Sequence, residues 1–249
     1  MAQKQQTVYL TGDHELVEEF GLFCHQSGLR VIGSVNPDSA RRTFPAWVTR
    51  SATVPKSVGV AMELTNIRPD LKRKNLMFLD SKLQKGALLL SSSVTVTAHE
   101  QASWIGHPQR LIGISALPTL AGRKLIEIAP CIETSHDALA QSSTFFAGLK
   151  KEVAVIQDRV GMVVPRMVCM IINEAFFAVG ENIASAPDID TAMKLGTNYP
   201  SGPVEWANAI GFQQVCAVLE ALHRDLGEDR YRTSPVLRHL ACGTRWWKT

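Results

Sequence analysis

The sequence predicts an α/β domain built on a doubly wound sheet, followed by an all-helical domain. Three observations carry that expectation. The chain opens strand–glycine–helix–strand, the start of a βαβ unit. Short apolar runs then recur to about residue 157, interleaved with stretches of helical period. After Gly161 extended β-branched runs become rare and long helical patterns dominate. The boundary falls near Arg159, giving domains 1–159 and 160–249.

Residues 7–11, Thr-Val-Tyr-Leu-Thr, are β-branched and aromatic and end at Gly12. Helical spacing follows through Leu16, Phe20, Leu22 and Phe23, and stops at Gly28. Residues 29–32 read as a second strand, closed by Asn36-Pro37. Residues 37–57 carry Pro37, Pro45 and Pro55 and are the least regular, with a short strand expected within 47–54. Residues 58–64 are apolar enough for a buried parallel strand. Pro69 opens a helix to residue 83, with Asp70 at the positive end of its dipole. Further strands are expected at 87–91, 110–115, 124–128 and 153–157. A helix over 136–149 ends in Lys150-Lys151, cations that suit a helix C-terminus.

In the second part, residues 162–179 form a nearly all-apolar helix, which implies burial on most sides. A short helix over 187–195 follows Ser185, a good N-cap. Gly202-Pro203 opens another, expected to run unbroken to about Arg224, and Ser234-Pro235 repeats the start signal.

Composition narrows the function classes. The 249 residues are 45% hydrophobic and 20% charged, a globular profile, and the net charge of +3 is too small and scattered for a nucleic-acid partner. The clusters Arg41-Arg42 and Lys72-Arg73-Lys74 read as solvated faces. No signal-peptide core and no run of membrane-spanning length is expected, which points to a cytoplasmic protein. Cys24, Cys131, Cys169, Cys216 and Cys242 are far apart and show no metal spacing, so five buried reduced thiols and no metal are expected.

The helical part contains Asn173-Glu174-Ala175-Phe176 and Asp188-Ile189-Asp190-Thr191-Ala192-Met193-Lys194-Leu195-Gly196. It continues with Tyr199-Pro200-Ser201-Gly202-Pro203-Val204-Glu205-Trp206 and Gly227-Glu228-Asp229-Arg230-Tyr231-Arg232. This closely resembles the C-terminal domain of 3-hydroxyacyl-CoA and 3-hydroxybutyryl-CoA dehydrogenases. Fainter similarity runs back through residues 108–113, Lys124-Leu125-Ile126-Glu127 and Asp70-Leu71-Lys72. The resemblance implies a Rossmann-like sheet and a helical domain of the 6-phosphogluconate-dehydrogenase C-terminal type. It also implies a homodimer through that helical domain, and a substrate of the acyl-CoA class.

The site motifs depart from the family. A dinucleotide fold places G-x-G-x-x-G after its first strand, so that backbone approaches the pyrophosphate. Here the turn reads Gly12-Asp13-His14-Glu15-Leu16-Val17, keeping only the first glycine. Asp13 and Glu15 add negative charge, and His14 reads as an unspecialised surface residue. The ribose acceptor at the end of the second strand is Ser34. No bound cofactor is therefore expected, with NAD the cofactor if the chain is active.

The family's catalytic His corresponds to Ser115, which has no useful basicity near neutral pH, while its orienting Glu is retained as Glu127. The supporting Ser aligns with Val94, or with Ser93 if the register slips by one. The supporting Asn corresponds to Pro165, which has no amide donor. The family's helical clamp over CoA has no room between residues 37 and 57, though Arg41, Arg42 and Lys56 could meet phosphates. The adjacent Trp246-Trp247 should pack against something. These departures point to a non-catalytic paralogue that keeps a ligand cleft or docks on a protein partner. The alternatives are an active NAD-dependent enzyme using Glu127 or a water relayed by Ser115, or a new reaction in the old cleft.

Overall fold

The structure is a computed structural model that describes residues 6–35, 44–120 and 122–243. The chain divides into two compact units, Met1–Met162 and Val163–Thr249. The Asn36-Pro37 turn, Arg41, Arg42, Trp246 and Trp247 lie outside the described residues.

The first unit is built on one eight-stranded sheet. Its strands are β1 (Thr7–Gly12), β2 (Arg30–Val35), β3 (Val48–Arg50), β4 (Val58–Leu64), β5 (Leu88–Ser92), β6 (Leu111–Ile114), β7 (Leu125–Pro130) and β8 (Glu152–Val155). They lie in the order β3-β2-β1-β4-β5-β6-β7-β8, parallel except that β7 runs antiparallel to β6. The strand order reverses between β1 and β4, the topological switch point of a doubly wound sheet.

Period-two alternation decides which face each side chain joins. Val8 and Leu10 of β1 join a core closed by α1 (His14–Gln26) and α4 (His136–Gly148), through Leu16, Val17, Phe20, Phe145 and Phe146. Tyr9, between them, joins the opposite core with Leu76 and Leu79 of α2 (Pro69–Lys82) and Ala98 and Ala102 of α3 (Ala98–Ala102).

Lys72 corrects the reading of Lys72-Arg73-Lys74 as a solvated face. It is fully buried, bonded through Nζ to the equally buried Glu63 of β4. At the far end of α2, Asp80 accepts from Arg110 Nη2 at 2.6 Å and from the Gly106 amide at 2.9 Å. His107 Nδ1 lies 3.3 Å from the same carboxylate. Burial alone would raise the Asp80 carboxyl, but its bonds to Arg110, Gly106 and His107 outweigh that and hold it below the ordinary carboxylate value. Its stabilisation is therefore present above the unfolded value near pH ~3.9 and is lost as pH falls through the lower folded value. Asp80→Asn should cost about 1.5–3 kcal/mol at neutral pH. In urea melts the gap between parent and variant should close towards pH ~3; a gap that does not shrink would contradict this assignment.

The second unit is helical: α5 (Val164–Gly180), α6 (Ala186–Thr197), α7 (Pro203–Ile210), α8 (Phe212–Leu226) and α9 (Pro235–Ala241). The helix expected from Gly202 to Arg224 is two, because Gly211 adopts φ +94° between α7 and α8. α5 is buried along one stripe rather than on most sides: Cys169, Ile172 and Phe176 are enclosed, while Met167 is 57% exposed.

The family-like motifs of this unit hold its fold together. The buried Asn173 amide donates to Arg232 O at 3.0 Å and accepts from the Ser234 amide at 2.8 Å, tying α5 to the start of α9. The Asp190 carboxylate accepts from the Val204 and Glu205 amides at 2.8 and 3.1 Å, supplying the α7 cap that Gly202 lacks. A Cβ at position 202 would lie 2.1 Å from Asp190 Oδ1, so only glycine fits there. All five cysteines are free, and Cys242 is exposed rather than buried.

Candidate functional site

In an open α/β sheet, ligands gather at the carboxyl ends of the strands near the switch point. Here that edge is dense with buried polar groups. Ser115 follows β6 and faces Glu127 of the antiparallel neighbour β7. The Ser115 amide donates to Glu127 O, and the Glu127 amide donates to Ser115 Oγ, both at 3.0 Å. Both residues are nearly enclosed, at 6% and 3% exposure. Ser115 thus spends its hydroxyl as an acceptor in the ladder. The structure brings these two predicted site residues together.

Val94 lies just beyond β5, fully buried, with its carbonyl accepting from the Gly161 amide at 3.0 Å. Ser93 is also buried; its amide donates to Ile114 O, and its hydroxyl accepts from Gln101 Nε2 at 3.1 Å. Pro165 belongs to the second unit, in the first turn of α5. Lys56 is exposed beside the turn that leads into β4.

At the dinucleotide turn, Gly12 has φ +144°, and a Cβ there would lie 2.4 Å from the Leu64 carbonyl carbon. Its glycine is required by the packing of β1 against β4. Asp13 Oδ2 accepts from the Asn66 amide at 2.8 Å and from Ile67 N at 3.4 Å. His14 is not on the surface: it is 6% exposed and stacked on Phe44, with centroids 6.0 Å apart. Among the described residues neither ring nitrogen has a hydrogen-bond partner, and Nδ1 lies 3.8 Å from Glu18 Oε2. Ser34 donates to Thr11 Oγ1 at 2.9 Å and accepts from the Tyr9 hydroxyl at 3.2 Å. Burial pushes the Tyr9 phenol above its ordinary value, against the Ser34 bond.

Several polar residues of this edge escape sequence reasoning. Glu63 accepts from Lys72, from the Thr65 amide at 3.0 Å and from Ser91 Oγ at 3.2 Å. Asn66 donates through Nδ2 to Ala116 O at 2.8 Å and accepts from Ser92 Oγ at 2.6 Å. One signal was available: Lys72 stands four residues before Leu76 and seven before Leu79, on the buried stripe of α2. Cavities of about 560 and 410 Å³ open at the amino ends of the strands, around Gln6, Leu29, Gly59, Leu88 and His107, away from this edge. Among the described residues, no cluster of three or more His, Cys, Asp or Glu could hold a metal ion.

Two family models match the chain. The 3-hydroxyacyl-CoA dehydrogenase NAD-binding domain covers residues 47–159, and the C-terminal domain of the same enzymes covers residues 161–245. A Bacillus subtilis relative is 30% identical over 193 residues, 77% of this chain and 67% of its own length. The chain belongs to the 3-hydroxyacyl-CoA dehydrogenase family. Within that family, the 3-hydroxybutyryl-CoA dehydrogenase of Bradyrhizobium diazoefficiens is 32% identical over 170 residues, 68% of this chain. That match spans only 58% of the Bradyrhizobium protein's length. The crystal structure of the (S)-3-hydroxybutyryl-CoA dehydrogenase of Ralstonia eutropha has a TM-score of 0.77 at 25% identity, covering 96% of this chain and 95% of that one. FadB2 of Mycobacterium tuberculosis shares the fold, with a TM-score of 0.82 at 19% identity over 97% of this chain and 95% of that one. The match of this 3-hydroxyacyl-CoA dehydrogenase family member to the NAD-binding domain begins at residue 47, downstream of β1, α1 and β2. Among the described residues no helix is long and apolar enough to cross a membrane.

Proposed function

We propose that this family member is a non-catalytic or catalytically impaired paralogue that retains the scaffold. The observation that carries the reading is Ser115, standing where the resemblance puts the catalytic His and bound to the Glu127 amide at 3.0 Å. A hydroxyl in that position cannot take a proton from a 3-hydroxyacyl substrate near neutral pH. Loss of a general base alone costs roughly 10²–10⁴-fold in rate. Pro165 supplies no hydrogen-bond donor side chain where the family has Asn, and Val94 none where it has Ser; in the alternative register Ser93 fills that position, with its hydroxyl accepting from Gln101. With the reading goes a cytoplasmic homodimer made through the helical unit, where Ile183 and Leu195 are 70% and 83% exposed. An acyl-CoA-like ligand or a protein partner then takes the place of a substrate that is turned over.

The second reading is an active NAD-dependent 3-hydroxyacyl-CoA dehydrogenase, and the retention of Glu127 beside Ser115 favours it. The two readings part in one assay. Purified protein is given (S)-3-hydroxybutyryl-CoA and NAD⁺, and NADH absorbance is followed. The expected result is no rate above a buffer control. Turnover that is abolished by Glu127→Gln would establish the active reading instead.

A further inference from the structure

We infer that the first unit closes its dinucleotide crevice with its own side chains, with Asp13 as the bolt, so that NAD(H) has no place in this chain. A dinucleotide needs three things at the switch point: bare amides at the start of the first helix, clearance above them, and a free acceptor for the ribose. Side chains of this chain stand at the second and third, and the Asp13 carboxylate lies beside the first.

The bolt is a connected set of bonds across four strand ends. The Asp13 amide donates to Leu64 O at 3.1 Å, and its carboxylate takes the Asn66 amide at 2.8 Å. Asn66 is 2% exposed and passes the connection on: to Ala116 O through Nδ2, to Ser92 through Oδ1, and to Thr95 Oγ1 through its carbonyl at 3.2 Å. The turns after β1, β4, β5 and β6 are thereby cross-linked. Asp13 is the N-cap residue of α1, but its carboxylate makes no cap bond and turns to the Asn66 and Ile67 amides, leaving a negative charge beside the helix end where the dipole favours a phosphate.

Beside the bolt the second glycine position carries a side chain, His14, 6% exposed, while Val17 at the third is turned into the apolar core with Leu16 and Phe20. Phe44 stacks over the His14 ring at an interplanar angle of 21°. At the ribose position, the Ser34 hydroxyl is engaged by Thr11 and Tyr9. Gly12, the one family glycine that remains, is explained by the approach of Leu64 and needs no phosphate. The residues present do not fit the cofactor that the fold implies.

The inference concerns binding and is independent of what Ser115 does in catalysis. It is tested on the full chain without substrate. Calorimetric titration with NADH should give only the heat of dilution, and millimolar NADH should leave Tm unchanged, because a ligand that binds the folded state must raise it. Micromolar binding, or a rise in Tm, would overturn the closure. Two variants test the bolt. Asp13→Ala should lower Tm by about 2–8 °C, while Asp13→Asn, which keeps an acceptor for the Asn66 amide, should stay nearer the parent. An Asp13→Ala protein that melts with the parent would overturn the role given to Asp13. NADH binding without turnover would overturn the closure and leave the non-catalytic reading standing, whereas NADH formation in the turnover assay would overturn both.

Discussion

Lys72→Met should lower the stability of the first unit by about 3–5 kcal/mol, the cost of leaving a buried charge without its partner. Lys72 is fully enclosed, and its Nζ also donates to Thr65 O at 3.0 Å. Removing it leaves Glu63, also fully enclosed, with the neutral donors Thr65 N, Asn75 and Ser91. Adding Glu63→Gln to Lys72→Met should recover much of the loss, because replacing both members of a buried pair is often close to neutral. The measurement is a urea-denaturation series on parent, both single variants and the double variant. The double-variant cycle isolates the pair from the packing of each side chain. A Lys72→Met protein with the parent midpoint would mean that α2 does not hold Lys72 against β4.

The same residue shows where sequence reasoning reaches and where it stops. A run of three cations is ordinarily solvated, so composition argued for an exposed face. Helical phase argued otherwise, since Lys72 shares a stripe with Leu76 and Leu79, but a phase argument needs a partner charge to be credible. That partner is nine residues away on a strand, and no linear pattern brings Glu63 beside it. His14 failed for a related reason: its burial depends on Phe44, thirty residues downstream. The antiparallel turn of β7 was equally invisible, because a short apolar run reads the same in either direction. By contrast, strand–glycine–helix–strand at the start and the change of period after Gly161 are local signals, and the structure has both features.

The candidate site divides along the same line. Motif register proposes occupants for the family positions: Ser115, Glu127, Val94 or Ser93, Pro165, Gly12 and Ser34. What those residues do is not legible there, because it depends on cross-strand neighbours. Ser115 is bound to the Glu127 amide, and Gly12 is pressed against Leu64. The uneven resemblance then has a physical reading. In the helical unit, the motif residues Asn173, Asp190, Gly202 and Tyr231 are tied into folding contacts, so changing them would cost stability whatever the chain does. In the first unit, the apolar alternation of the strands builds both cores. The turnover assay, not the fold, therefore decides the non-catalytic proposal.

The second large effect lies in the helical unit. Phe176→Ala should cost about 3–5 kcal/mol, through lost burial and the cavity left behind. Phe176 is fully enclosed on α5 and meets Phe212 edge-to-face, with centroids 5.9 Å apart and rings at 86°. From sequence, Trp206 belongs to the same core and should cost as much. The structure separates them: Trp206 is only partly buried on α7, tilted against Tyr199 at 5.4 Å. Its larger side chain therefore carries the smaller penalty, about 1–2 kcal/mol for Trp206→Ala. Urea melts followed by circular dichroism at the helical band would rank the two variants against the parent. Equal losses would place Trp206 in a fully buried setting, which contact with a second copy of this unit could provide. A loss confined to Phe176 would leave the Trp206 face open and agree with the proposed homodimer surface at Ile183 and Leu195.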